Sequence, residues 1–437
     1  MNKNKVVSRQ SNIELLRIIA MFFIIASHSK NLPSSFGCDV NYFSSFQYTF
    51  LRSLGQIGVI IFILISGYFL TSRKIKTVNF FKLALKTITY SILFYFVAYI
   101  LDRYSGYCLG STDGLKSFWD ALFILSNSKY WFISVYLILY LLYPFINIIT
   151  NRISKKQYLF ILLTLFIIIF LYPNFYYTTL HQTEIIFNIS YFIFIFLLGG
   201  YVARFPIDFK GKVAPLVGLF WSFFLFIISF LKTRPMYFRN SFSIFFISFF
   251  LFLLFKNIKI NDSKIINSVA KSSFGIYLIH NHHDMKFYVW KFASDCFNFF
   301  EIDYFLKNIL TILLIFATSL LLEYLLVFLG KPFIKKFEKL QIFQKMDHFF
   351  PQEELVAKED SKYTLFWHFI FFNLIAYIFL FKYISYPTNY KALSLFIITL
   401  VLYLYCVYFI NRIKRKNNGT NSDKNSSGDN IASSDTN

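Results

Sequence analysis

"LLRIIAMFFIIASHS", residues 15–29, is an apolar run long enough to enter a bilayer, and it holds a permanent cation, Arg17, and an imidazole, His28. It lacks the small-residue exit of a cleavable signal peptide, so it reads as a retained transmembrane helix. His28 follows Arg17 by eleven positions. At about 100° per residue this is roughly 20° past three full turns, so both side chains share one helix face, about 16 Å apart along the axis. An arginine in hydrocarbon has to meet a partner, a water-filled cavity or the headgroups. For Arg17 the ordinary partners are the inner headgroups or Glu14, three residues back. For His28 the ordinary role is a hydrogen-bonded interior ring, and the functional one is proton transfer.

The rest of the chain extends this reading. Of 437 residues, 57% are hydrophobic and 15% charged, against about 25% charged in soluble domains. The net charge of +22 belongs to the Lys and Arg that membrane proteins keep in cytoplasmic loops, and no nucleic-acid partner is expected. The wealth of Phe, Ile, Lys and Asn fits an AT-rich, bacterial genome. Apolar runs predict an all-α, polytopic helical bundle in the lipid bilayer with about twelve spans. They are 12–29, 54–72, 86–101, 131–149, 158–173, 185–203, 213–231, 241–256, 267–281, 305–327, 365–384 and 392–411. Basic segments at 1–11, 73–86, 150–157, 204–212, 257–266, 331–346 and 411–416 fall on one side, which places both termini in the cytoplasm. Only 232–239 runs against the rule, with Lys232, Arg234 and Arg239 outside. The outer segments 30–50, 102–130, 174–184 and 282–304 are rich in Ser, Asn, Tyr and Asp.

The expected division is a membrane core at 1–335, a cytoplasmic connector at 336–364, two further spans within 365–411 and a disordered polar tail at 412–437. Cys38, Cys108, Cys296 and Cys406 show neither CxxC nor metal spacing. No inverted repeat of the transporter kind is visible.

Four other places carry chemistry-bearing residues. "SSFGIYLIHNHH" (272–283) ends a short span in His280, on the side of His28, and holds Ser273 and Tyr277. His280, His282 and His283 are not at i, i+4 and only Asp284 adds a carboxylate, so no metal is expected. "FILISGYFLTSRKIK" (62–76) carries Ser66-Gly67, a small pair that permits close helix approach. Its Arg73, Lys74 and Lys76 either orient the span or hold phosphates. "YWFISVYLILYLLYP" (130–144) sets Trp131 at an aromatic belt and Tyr136 and Tyr140 at i, i+4, lining a path or simply packing. Glu323, deep in the tenth span, is either functional or the counter-ion of an interior cation.

Together these pieces resemble the bacterial acyltransferase 3 family of membrane enzymes, whose hallmark is an Arg and a His separated by ten residues in the first span. Here that reads Arg17-IIAMFFIIAS-His28, followed in the family's order by "FILISGYFL", "YWFISVYLILYLLYPFIN", "FLLGGYVAR" and "SSFGIYLIHNH". The resemblance covers roughly 11–335. It departs where many members carry Glu-x-Pro after the last core span, because "LGKPF" has Gly330 there.

The resemblance implies transfer of an acyl group, usually acetyl, from cytoplasmic acetyl-CoA to a hydroxyl of a capsular or exopolysaccharide, or of a lipid-linked glycan. His28 becomes the general base, with His280 assisting. Arg17, Arg73, Lys74 and Lys76 become the cations for the polyanionic donor. Tyr277, Ser66 or a backbone N–H becomes the oxyanion donor, with Trp131, Tyr140, Ser273 and Glu323 as further substrate contacts. A flippase or a polymerase of the same glycan pathway is the alternative for such a span count. The ordered motifs weigh against both, and the longest outer segment, 102–130, has only Arg103 where a polymerase carries several arginines.

Overall fold

A computed structural model describes residues 10–29, 45–71, 73–104, 114–123, 130–171, 185–205, 213–232, 241–297, 304–348 and 350. The chain divides into two compact units, residues 1–353 and 354–437. The second, with both last spans and the tail, lies outside the described residues, as do Cys38, Cys108 and Cys406.

The first unit is helical, and no strand occurs among the described residues. Its helices are α1 (Ser11–His28), α2 (Ser45–Leu70), α3 (Thr77–Tyr104), α4 (Gly114–Leu122), α5 (Trp131–Asn151), α6 (Lys155–Phe166), α7 (Ile185–Arg204), α8 (Val213–Lys232), α9 (Phe242–Asn257), α10 (Lys264–His280), α11 (Lys286–Asp295), α12 (Tyr304–Glu338) and α13 (Gln341–Asp347). Among the described residues, five are long and apolar enough to cross a membrane: α1, α2, α3, α5 and α12. Apolar side chains on α3 (Phe96, Ile100), α8 (Phe220, Trp221) and α12 (Phe328, Leu329) stay exposed. Such faces need lipid in place of water, and the chain is an all-α membrane bundle.

Two stretches read as outer loops contain helix. α11 forms because Tyr288, Trp290, Ala293 and Ser294 make a buried face on it. α4 sits against the end of α3, where Phe118 meets the Tyr95 and Phe96 rings. α12 runs on past residue 335 to Glu338, and α13 docks on the start of α3. There Asp347 Oδ1 accepts from Thr77 N at 2.7 Å and from Thr77 Oγ1 at 2.6 Å.

α1 is the hub, packed on α2, α9, α10 and α12. Its apolar stripe of Ile13, Leu16, Ala20, Ile24 and Ile25 is buried. Its N-terminus is pinned by side chains. Asn12 Nδ2 donates to the carbonyls of Phe255 and Ile258, each at 2.9 Å, and so occupies the C-terminal end of α9. Ser11 Oγ accepts from Ser263 N at 2.9 Å.

Glycines set how closely α2 meets its neighbours. A Cβ on Gly58 would stand 2.6 Å from the Ala20 carbonyl oxygen of α1. One on Gly67 would collide with the Phe196 carbonyl of α7, and one on Gly199 with the Leu64 carbonyl in return. The Ser66-Gly67 and Gly199-Gly200 pairs are thus two halves of one close crossing. Arg204 and Asn147 complete it by donating to the Thr71 and Leu70 carbonyls at the end of α2, at 3.2 and 2.9 Å.

Candidate active site

α1 and α10 end side by side, and their last helical residues meet. His28 Nδ1 lies 3.1 Å from His280 Nε2. His280 Nδ1 lies 2.6 Å from the carbonyl oxygen of Ile276, one turn back. A carbonyl only accepts, so Nδ1 of His280 carries its proton and the neutral ring presents a bare Nε2. That nitrogen accepts from Nδ1–H of His28, which assigns the lone pair of the neutral His28 ring to its Nε2. His280 is fully buried. The pair is a fixed tautomer chain of carbonyl, orienting imidazole and outer imidazole, the geometry a general base requires.

His28 opens onto a cavity of about 230 Å³, lined also by Ile24 and Ser27 of α1, Arg52, Gly55, Gln56 and Val59 of α2, Trp131 and Phe132 of α5, and Tyr277 of α10. The aromatic wall interlocks. Phe132 meets Tyr277 edge-on at 5.6 Å, and Tyr277 meets the His280 ring at 6.0 Å and 84°. Tyr130 Oη donates to the Leu278 carbonyl at 2.7 Å, holding the start of α5 against α10.

The sequence pattern of the acyltransferase 3 family, an acyltransferase domain, matches residues 10–328. The chain belongs to the acyltransferase 3 family. No curated protein matches it, and no solved structure does. The protein is therefore a membrane acyltransferase, and the rest of its site follows on that footing.

The residues singled out in the acyltransferase sequence fall into three groups. His28, Trp131 and Tyr277 line the cavity, and His280 touches His28 from behind it. A second group lies towards the opposite end of the bundle. Arg17 pairs with Glu14 at 2.8 Å on α1, and Arg73, Lys74 and Lys76 are exposed between α2 and α3. Tyr140 Oη reaches the Lys76 carbonyl at 3.4 Å. Ser66 lies between these two groups, 3.3 Å from Tyr136 Oη, and the Tyr136 ring stacks on Phe132 of the cavity wall.

The third group is away from the cavity lining. Glu323 is buried against Gly275, forms an ion pair with Lys86 and accepts from Tyr90 Oη at 2.7 Å. Of the two roles its sequence position allows, it has the counter-ion contacts. Ser273 is buried two turns before His280 on α10, and its Oγ has no hydrogen-bond partner.

His282 turns away from the histidine pair. Its Nε2–H donates to the Ser91 carbonyl of α3 at 3.1 Å, and its Nδ1 accepts from Asp284 N at 3.3 Å. That ring ties the α10–α11 turn to α3. Among the described residues, no group of three His, Cys, Asp or Glu side chains is placed to hold a metal ion.

Sequence reasoning missed Arg52 and Gln56. The signal was present in "LRSLGQIG" (51–58): an arginine and a glutamine one turn apart where an apolar run begins are polar groups that a membrane helix turns towards a cavity or a partner.

Proposed function

We propose that this acyltransferase moves an acyl group, acetyl in the first instance, from cytoplasmic acyl-CoA to a hydroxyl of a cell-surface glycan. The His28–His280 chain carries the reading, because it leaves a lone pair on a cavity-lining imidazole whose orientation is fixed from behind.

In this reaction the glycan hydroxyl gives its proton to His28 Nε2 as its oxygen bonds to the thioester carbonyl carbon. The carbon–sulfur bond then breaks, and the imidazolium returns the proton to the CoA thiolate. His280 stabilises the imidazolium through the 3.1 Å contact. The Tyr277 hydroxyl is the oxyanion donor. Among the described lining residues the only aliphatic hydroxyl is Ser27, which donates to the Ile24 carbonyl at 2.7 Å. That engagement favours direct transfer over an acyl-serine intermediate.

The donor arrives at the end that bears Arg73, Lys74, Lys76 and the Arg17–Glu14 pair, where cations meet the diphosphate. Its pantetheine arm then reaches towards His28 along the seam of Ser66 and Tyr136. In this orientation the basic end and the N-terminus are cytoplasmic, in a bacterial cell membrane, and the cavity faces outwards.

The test is transfer of labelled acetyl from acetyl-CoA in membrane vesicles, together with the ester content of the surface polysaccharide. His28→Ala is expected to abolish both at unchanged protein level. Wild-type ester content in the His28→Ala strain sinks the base assignment.

A further inference from the structure

Arg52 and Gln56 stand one turn apart on α2, and with Gly55 and Val59 they form the α2 wall of the cavity that His28 opens onto. The acyl-transfer chemistry above uses neither. We propose that they form an acceptor subsite that selects an acidic sugar: Arg52 holds a carboxylate or phosphate oxyanion, and Gln56 accepts from a neighbouring ring hydroxyl. The inference rests on the acyl-transfer reading and names its acceptor class.

Three observations carry it. The guanidinium is half-buried inside the bundle at the end opposite to Arg73, Lys74 and Lys76. A guanidinium in a cavity wall is suited to bidentate recognition of a planar carboxylate or a phosphate. The Gln56 Oε1 atom is buried and has no hydrogen-bond partner. A buried acceptor left unmet is costly and calls for a donor, and a sugar hydroxyl is the donor that an acyl acceptor brings. Finally, the cavity holds about 230 Å³, room for roughly eight waters at liquid density. That suits one sugar ring beside the aromatic side chains of Trp131 and Phe132. An acid on Arg52 and a hydroxyl on Gln56 fix two points of such a ring. The third point, the reacting hydroxyl, then falls to His28.

The test uses the purified full-length protein in detergent and three probes: methyl β-glucuronide, glucose 1-phosphate and methyl β-glucoside. Calorimetric binding is expected to be at least tenfold tighter for an acidic probe than for the neutral glucoside. Preference for the glucuronide alone marks a uronic-acid acceptor, and preference for the phosphate alone marks a sugar phosphate. Arg52→Gln is expected to bring all three probes within about twofold, and Arg52→Lys to keep part of the preference. Gln56→Leu is expected to weaken all three probes alike. Equal affinities in the wild type, no binding of any probe, or a preference that survives Arg52→Gln overturns the inference. The wild-type comparison needs no variant to fold. His28→Ala separates the two readings: it keeps the acid preference while acyl transfer is lost. A wild-type protein that binds acidic sugars but transfers no label from acetyl-CoA would sink the catalytic reading and leave the subsite standing.

Discussion

Replacing His280 by two amides of different length tests whether it orients His28 or merely fills space. The amide nitrogen of asparagine falls near Nδ1 of the imidazole, and the amide of glutamine reaches the position of Nε2. His280→Asn keeps a donor towards the Ile276 carbonyl but withdraws the acceptor 3.1 Å from His28. His280→Gln keeps an acceptor there. Without it, Nδ1–H of His28 loses a hydrogen bond with a net value of about 0.5–1.5 kcal/mol and is left as a poorly met donor costing about 1–3 kcal/mol. The ring is then free to take the other tautomer. If the loss appears in the transition state, about 1.4–2.8 kcal/mol corresponds to a 10–100-fold fall in kcat. Removing the base itself, by His28→Ala, costs about 10²–10⁴-fold. The assay is label transfer in vesicles, normalised to the amount of folded protein, with KM for the acyl donor measured alongside. The expected order of activity is wild type, then His280→Gln, then His280→Asn, then His28→Ala, with KM for the donor little changed. Equal kcat in His280→Asn and wild type refutes the orienting role. A fall in folded protein with no fall in activity per molecule makes the residue structural.

Three further outcomes follow from the packing. Glu323→Ala leaves the Lys86 ammonium without its buried counter-ion and is expected to cost about 3–5 kcal/mol. The loss is read as a lower melting temperature in detergent, and an unchanged melt refutes the pairing. Gly275→Ala drives a methyl group into the Glu323 carboxylate, so its effect should be strongly non-additive with Glu323→Ala; simple addition of the two losses argues against that contact. Cys296 is an exposed free thiol just past the C-terminal end of α11, in the segment 282–304 read as outer. In a variant lacking the other cysteines, an impermeant maleimide is expected to label it in intact cells, and labelling only after lysis inverts the orientation.

Much of the site can be read in the sequence because it is local. Arg17 and His28 share a face of one helix by arithmetic alone, and α1 forms as expected over Ser11–His28. The small pairs Ser66-Gly67 and Gly199-Gly200 mark close crossings wherever they occur in a membrane helix. Which helix each one meets depends on contacts between residues more than a hundred positions apart. Arg52 and Gln56 escaped for a related reason. Their meaning comes from sharing a cavity with Trp131 and Tyr277, and no periodicity on α2 reveals that.

By itself the sequence determined the apolar solvent and the long helices of the described residues, because hydrophobic run length is a property of contiguous residues. It also put His28 and His280 at the same end. Only the tertiary structure decided that they touch, that His282 serves α3 instead, and that Glu323 answers Lys86. Hydrogen bonds and ion pairs act over about 3 Å, and for residues 252 positions apart that distance is set by how the helices pack.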